Sequence, residues 1–354
     1  MLSAPTQLHL SSIGQPSQAS PGACGVVFQG SSKAALQQGH WQLMEQLQQL
    51  GLASLVDVQL LAGDATTAPA MQVALQPTLI EHWAPGHDTR ALSRTLALDP
   101  RHAEDLAREI VVALLLSPVA FTFPSHAEWA AAVRVRQGIV QAARDTRLHP
   151  DPTGPRHPPE DWQLQAGHPP LLRPERPLTA ALQALLQPAQ GPGFALSPYR
   201  ASEYVLLLGL AEETRRHHPA LYSRLQARFQ HRPVRDCEFH QALMRQIGSP
   251  EAPLPPGFAV PGDRVWLRPP PGPDVLDTPG PVGGRWAIYL GQGRYREFEN
   301  PSDHQRQPPW QGPEHTADWQ PMREFPRLLC PGSSDIVLRS CGGHRSLRAG
   351  TATA

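Results

Sequence analysis

The chain has 354 residues, 40% of them hydrophobic and 41 of them proline. Proline is thus about 12% against roughly 5% in an average protein, which indicates a globular chain with long Pro-rich connections. The 31 basic and 31 acidic residues cancel, which argues against a general affinity for nucleic acid or anionic membrane, since both need surplus positive charge.

Lys33 is the sole lysine, so nearly all the positive charge is arginine. The longest apolar runs, Ile110–Leu116 and Tyr204–Ala211, fall far short of the roughly 20 residues of a membrane span. No basic segment followed by an apolar one opens the chain, so no signal peptide is visible. Four cysteines are too sparse for a disulfide framework. The expectation is a cytoplasmic protein, with a secreted effector or a spore- or cell-surface protein as the alternative.

Residues 1–35 are rich in Ser, Gln, Gly and Pro without a period and are expected to be disordered. Leu36, His40, Leu43, Met44, Leu47 and Leu50 then recur at helical spacing up to Gly51, which predicts a helix. Leu55–Leu60 alternates like a strand. Asp99-Pro100 reads as an N-cap with proline at the first helical position, opening a helix with Leu106, Ile110, Ala113 and Leu114 on one side. Ser125 and Glu128 have capping-box spacing and open a helix to about Arg144. Residues 150–192 hold 11 prolines and read as loop, with a short helix near Thr179–Leu186. Ser197-Pro198 starts a further helix. Its run from Tyr204 to Ala211 is apolar all round, so it should be buried. Leu221–Phe229 is an amphipathic helix. Residues 250–281 again hold 11 prolines and one strand, Arg264–Leu267. Arg285–Leu290 and Arg294–Phe298 read as two strands joined at Gly291-Gln292-Gly293. The polar tail from Arg339 is expected to fray.

Helices come first, one of them central and buried, and a small antiparallel sheet follows. That order predicts an α+β fold. The expected organisation is a disordered segment at 1–35, a helix-and-strand extension at 36–100, a main domain at 101–300 and a C-terminal extension at 301–354. One topology with this order is the papain-like thiol fold, in which a buried helix presents a cysteine at its N-terminus to a sheet that carries the base.

Three blocks of sequence carry a family likeness. Residues 117–143 run from Ser-Pro-Val-Ala-Phe through Ser-His-Ala-Glu-Trp to Ile-Val-Gln-Ala-Ala. The other two are Pro261-Gly262-Asp263-Arg264-Val265-Trp266 and Ala287-Ile288-Tyr289-Leu290-Gly291 onward to Tyr295. Together, over about 100–300, they resemble the protein-glutamine gamma-glutamyltransferase (transglutaminase) family of bacterial spore coats. The second and third also look like cell-wall peptidases of the wider papain-like superfamily. The resemblance implies a papain-like core and chemistry on protein substrates without a cofactor or metal. A thiolate activated at a helix N-terminus would attack a glutamine carboxamide, release ammonia and pass the acyl group to a lysine amine. A glutamate just before the hairpin would serve as acid/base.

Overlaying the blocks puts the nucleophile position at Arg200, the glutamate before it at Tyr199 and the strand acid/base position at Arg285. All three depart from the family pattern. Arginine is no nucleophile, and its pKa above about 12 disqualifies it as a base at neutral pH. The expectation is a catalytically degenerate homologue acting as a binding or scaffold module for a protein partner. Trp266 and Trp286 are candidates for lining its cleft. Arg200 and Arg285 could bind a carboxylate or phosphate there, or simply be solvated at its rim.

The alternative is an active thiol acyltransferase or amidase using Cys237. In Asp236-Cys237 the aspartate would cap a helix continued by Leu243, Met244 and Ile247, leaving Cys237 as a dipole-activated thiol. Arg285 would still occupy the base position. Other constellations are weaker. Cys237-x-x-His240 and Cys341-x-x-His344 could supply four zinc ligands, but two coincidental pairs among 16 histidines are the simpler explanation, and no metal is expected. Ser197 and Ser202 flank Arg200, and capping explains Ser197 without catalysis. His217-His218 suits a solvated helix end.

Overall fold

The computed structural model describes residues 25–30, 32–62, 68–99, 101–149, 151, 153–165, 168–191, 193–234, 243–247, 254–267, 285–298 and 323–326. The chain opens with β1 (Val26–Gln29), α1 (Lys33–Gln49), β2 (Val56–Leu61), β3 (Ala70–Leu75), α2 (Pro77–Trp83) and α3 (Leu92–Thr95). These are followed by α4 (Ala103–Leu115), β4 (Phe121–Phe123), α5 (His126–Asp145), the hairpin β5 (Trp162–Gln165) and β6 (His168–Leu172), and α6 (Leu178–Leu186). The last group is α7 (Pro198–His217), α8 (Pro219–His231), β7 (Met244–Ile247), β8 (Arg264–Leu267), β9 (Arg285–Gly291), β10 (Arg294–Glu297) and β11 (Arg323–Pro326). The fold is α+β, as expected.

Two sheets flank the helices. One has the order β2-β3-β1-β4, with β1 antiparallel to β3 and parallel to β4. The other has the order β10-β9-β8-β11-β7, and every pairing in it is antiparallel. This second sheet carries the predicted hairpin. No described helix is long and apolar enough to cross a membrane.

Helix α5 joins the two larger apolar cores. Trp129, Val133 and Val140 pack with the first sheet, α1 and α4. Ala131, Val135, Ile139 and Ala142 pack with α6 and α7. A 3.6-residue period lets one helix serve two faces in this way. Helix α7 is buried along most of its length, from Ala201 to Ala211, as its all-round apolar run predicts. Where α5 and α7 cross, Gly138 and Gly209 face one another. A Cβ on Gly209 would lie 2.6 Å from Ile139 Cγ1 and 2.8 Å from the Ile139 nitrogen, so the crossing distance is set by the missing side chain.

Two predicted caps form. Ser125 Oγ accepts the Glu128 amide at the start of α5, and Ser197 Oγ accepts the Arg200 amide at the start of α7. Four expectations change. Within residues 150–192, read as loop with one short helix, Trp162–Gln165 and His168–Leu172 pair as an antiparallel hairpin. The helix expected at Asp99-Pro100 begins at Ala103, with His102 in the cap position. The Asp99 carboxylate accepts from Arg101, while the Asp99 amide donates to Asp105, so a local turn replaces the first helical turn. The segment predicted as disordered to residue 35 yields β1, the strand flanked by β3 and β4, and the first residues of α1. Residues 1–24 lie outside the described residues. Finally, Met244–Ile247 is a strand paired with β11 rather than a helix. The tail from Arg339 lies outside the described residues.

Candidate functional site

The N-terminus of α7 points its first turn at β8 and β9. Pro198 occupies its first turn and Ser197 caps it, so Tyr199, Arg200 and Glu203 are placed at the helix mouth. Arg200 Nη1 donates to Glu203 Oε2 at 2.7 Å and to the Val234 carbonyl at 2.8 Å. The Glu203 side chain is fully buried and that of Arg200 is 28% exposed. A cation at a helix N-terminus is opposed by the macrodipole. Here the buried carboxylate one turn on offsets that cost and fixes the guanidinium.

One residue earlier, the Tyr199 ring lies 4.4 Å from the guanidinium carbon of Arg264. The Trp286 ring lies 4.2 Å from the same atom. Arg264 is completely buried. Its charge is therefore held between an aromatic residue of the helix and one of the sheet, an interaction of about 2 kcal/mol or more when desolvated. Register explains how it arrives there. Arg264 pairs with Ile288 and Trp266 pairs with Trp286, so β8 and β9 carry Arg264 and Trp286 on the same face of the sheet as diagonal neighbours two positions apart.

The Gly262-Asp263 motif before β8 has a structural task. Asp263 Oδ1 accepts from Arg136 Nη1 at 2.7 Å, with both side chains buried. Asp263 Oδ2 accepts the Val260 amide at 2.8 Å. Gly262 has φ +89°, and a Cβ there would lie 3.0 Å from Arg136 Cα. The motif thus pins the start of β8 onto α5. It thereby sets where Arg264, the next residue, enters the strand.

Behind the mouth, His157 Nε2 lies 3.1 Å from the Tyr204 hydroxyl. Its ring meets Trp162 edge-on at 5.3 Å between centroids. Burial, with Arg200 and Arg156 nearby, lowers the His157 pKa to about 4, so the ring is neutral at physiological pH. Burial pushes the Tyr204 hydroxyl above its usual range. On the far side of the sheet's hairpin, Glu109 of α4 is fully buried and accepts the Gln292 amide at 3.0 Å. Desolvation raises its pKa, opposed by Ser93, the Gln292 amide and the charge of Arg144.

Of the residues singled out in the sequence, Tyr199 and Trp286 meet across Arg264. Arg200 turns to Glu203 and Val234 instead. Arg285 is the first residue of β9, paired through the backbone with Leu267. Trp266 is placed by its backbone beside Trp286. Cys237, His240, Cys341 and His344 lie outside the described residues. Among the described residues no cluster of three or more His, Cys, Asp or Glu could hold a metal. Two participants escaped the sequence reading. Arg264 reads as an ordinary strand residue, and His157 lies in a Pro-rich segment read as loop.

The family model of protein-glutamine gamma-glutamyltransferase matches residues 87–297. The chain belongs to this family. The match contains α7, the β8–β9 ladder and the Gly-Asp turn, which are the three elements that build the helix mouth. A comparison with curated proteins gives no match. Transglutaminases act on protein substrates, and the matched segment spans both the helix and the sheet that meet across Arg264. Of the four cysteines, only Cys237 falls within it.

Proposed function

We propose that this transglutaminase-family protein is catalytically degenerate and serves as a binding or scaffold module for a protein partner. The nucleophile position is assigned to Arg200 and the acid/base position to Arg285. The observation that carries this reading is the bonding of Arg200. Its guanidinium is tied to the buried Glu203 and to the Val234 carbonyl. A family reaction needs a thiolate at this helix N-terminus, where the dipole stabilises negative charge. A cation fixed there by its own carboxylate supplies neither a nucleophile nor a base.

A second reading rests on Cys237, the sole cysteine in the matched segment. Its thiolate would attack a glutamine carboxamide carbon and expel ammonia. A primary amine would then take the acyl group from the thioester. The helix expected to activate that thiol is not continued at Met244–Ile247, which is strand. The rate of Cys237 alkylation by iodoacetamide, followed by peptide mass mapping across pH, separates the two readings. The degenerate reading predicts a rate that climbs only toward an ordinary thiol pKa of about 8.5. A plateau reached below about pH 7, the mark of an activated thiolate, would contradict it.

A further inference from the structure

We propose that Tyr199 and Trp286 form an aromatic clamp for a planar cation and that the chain's own Arg264 fills it. The two rings come from different elements, the first turn of α7 and the second residue of β9. Both sit over one guanidinium carbon, at 4.4 and 4.2 Å. The cation between them is fully buried. A ring face attracts positive charge through its quadrupole, most strongly in Trp, and a planar guanidinium can stack on both sides at once. A solvated arginine needs no such arrangement.

The framework around the clamp holds it open to this width. Asp263 locks the residue before Arg264 to α5 through Arg136, and Ser197 fixes the start of α7. The clamp residues adjoin Arg200 and Arg285 in sequence. On the placement of the family site proposed above, the Arg264 side chain therefore fills the space between the first turn of α7 and β9. A glutamine side chain cannot enter that space while Arg264 occupies it. The class of ligand that fits the clamp is a guanidinium or a small methylated ammonium.

Replacing Arg264 with alanine empties the clamp. Methylguanidinium chloride at millimolar concentration should then raise the thermal midpoint of the Arg264→Ala protein by about 2–4 °C over the same concentration of sodium chloride. It should not raise that of the wild type or of the Arg264→Ala/Trp286→Leu double variant. An equal response in the double variant, or none in the single variant, would overturn the clamp. Should Arg264→Ala fail to fold, Arg264→Lys and Arg264→Met decide the matter. The charged lysine should lose less thermal stability than the apolar methionine, and the reverse order would overturn the proposal. The Arg264→Ala protein is also assayed for amine incorporation. Activity there would refute the degenerate reading and leave the clamp standing, while failure of the methylguanidinium response would do the opposite.

Discussion

Asp263 belongs to a motif shared with catalysts, yet both its oxygens hold backbone and scaffold. One binds Arg136 and the other the Val260 amide. Removing one partner of a buried ion pair strands the other charge, at a cost of about 3–5 kcal/mol. Asp263→Ala should therefore lower the urea midpoint strongly. Asp263→Asn, which keeps one acceptor oxygen for either Arg136 or the Val260 amide and turns its NH2 toward the other, should lose less. Equal losses would mean that the charge, which both variants remove, accounts for the whole effect and the retained acceptor for none of it. Arg264 behaves differently. It is positioned by that same turn, and two aromatic faces are among its partners, so a residue that looked generic in sequence proves specific in place.

The elements depend on a few side chains at their ends and crossings. The Ser197 cap sets the register in which α7 presents Tyr199 and Arg200. Ser197→Ala should cost about 1 kcal/mol in chemical denaturation. The α5–α7 crossing tolerates no side chain at Gly209, where even a Cβ would press on Ile139. Gly209→Ala should thus destabilise the protein by about 1–3 kcal/mol, the range of an overpacked core, although alanine is the better helix former. An unchanged or raised midpoint would show that the two helices can part freely. Most of these elements were legible in the sequence because their signals are local. The Ser125 and Ser197 caps, the apolar run of α7 and the Gly291–Gly293 turn each specify themselves within a few residues. Strand β1 was not legible. Its four residues, Val-Val-Phe-Gln, sit beside a polar Gly/Pro-rich stretch and gain order only by pairing with β3 and β4. Met244–Ile247 misled for the same reason, since apolar spacing in so short a run fits either period until β11 pairs with it. At the candidate site, the helix mouth was legible and its contents were not. The meeting of Tyr199, Arg264 and Trp286 depends on a register between strands far apart in sequence.

For the whole molecule, half-buried His157 and buried Glu109 give stability opposite pH limbs. His157 has a folded pKa near 4, below the ordinary histidine range. Its contribution is complete above the unfolded value of about 6.5 and is lost as pH falls toward the folded value. Glu109 has a raised pKa, so its contribution is complete below the ordinary glutamate range and is lost as pH rises through its folded value. His157→Phe should flatten the acid limb of a urea-midpoint profile. Glu109→Gln should flatten the other limb and keep an acceptor for the Gln292 amide. A profile unchanged by either variant would refute the assignment of that limb.

The whole molecule also sets the α7 helix mouth within a family fold. The match over residues 87–297 establishes the family, and the proposed degenerate reading turns on Arg200, held by Glu203, at the assigned nucleophile position. The most direct test is amine incorporation. Purified protein is mixed with a glutamine-rich acceptor protein and a fluorescent primary amine, with Cys237→Ser and a working transglutaminase run in parallel. The degenerate reading predicts no label above the Cys237→Ser background. Labelling by the wild type that disappears in Cys237→Ser would contradict it and place the active thiol at Cys237.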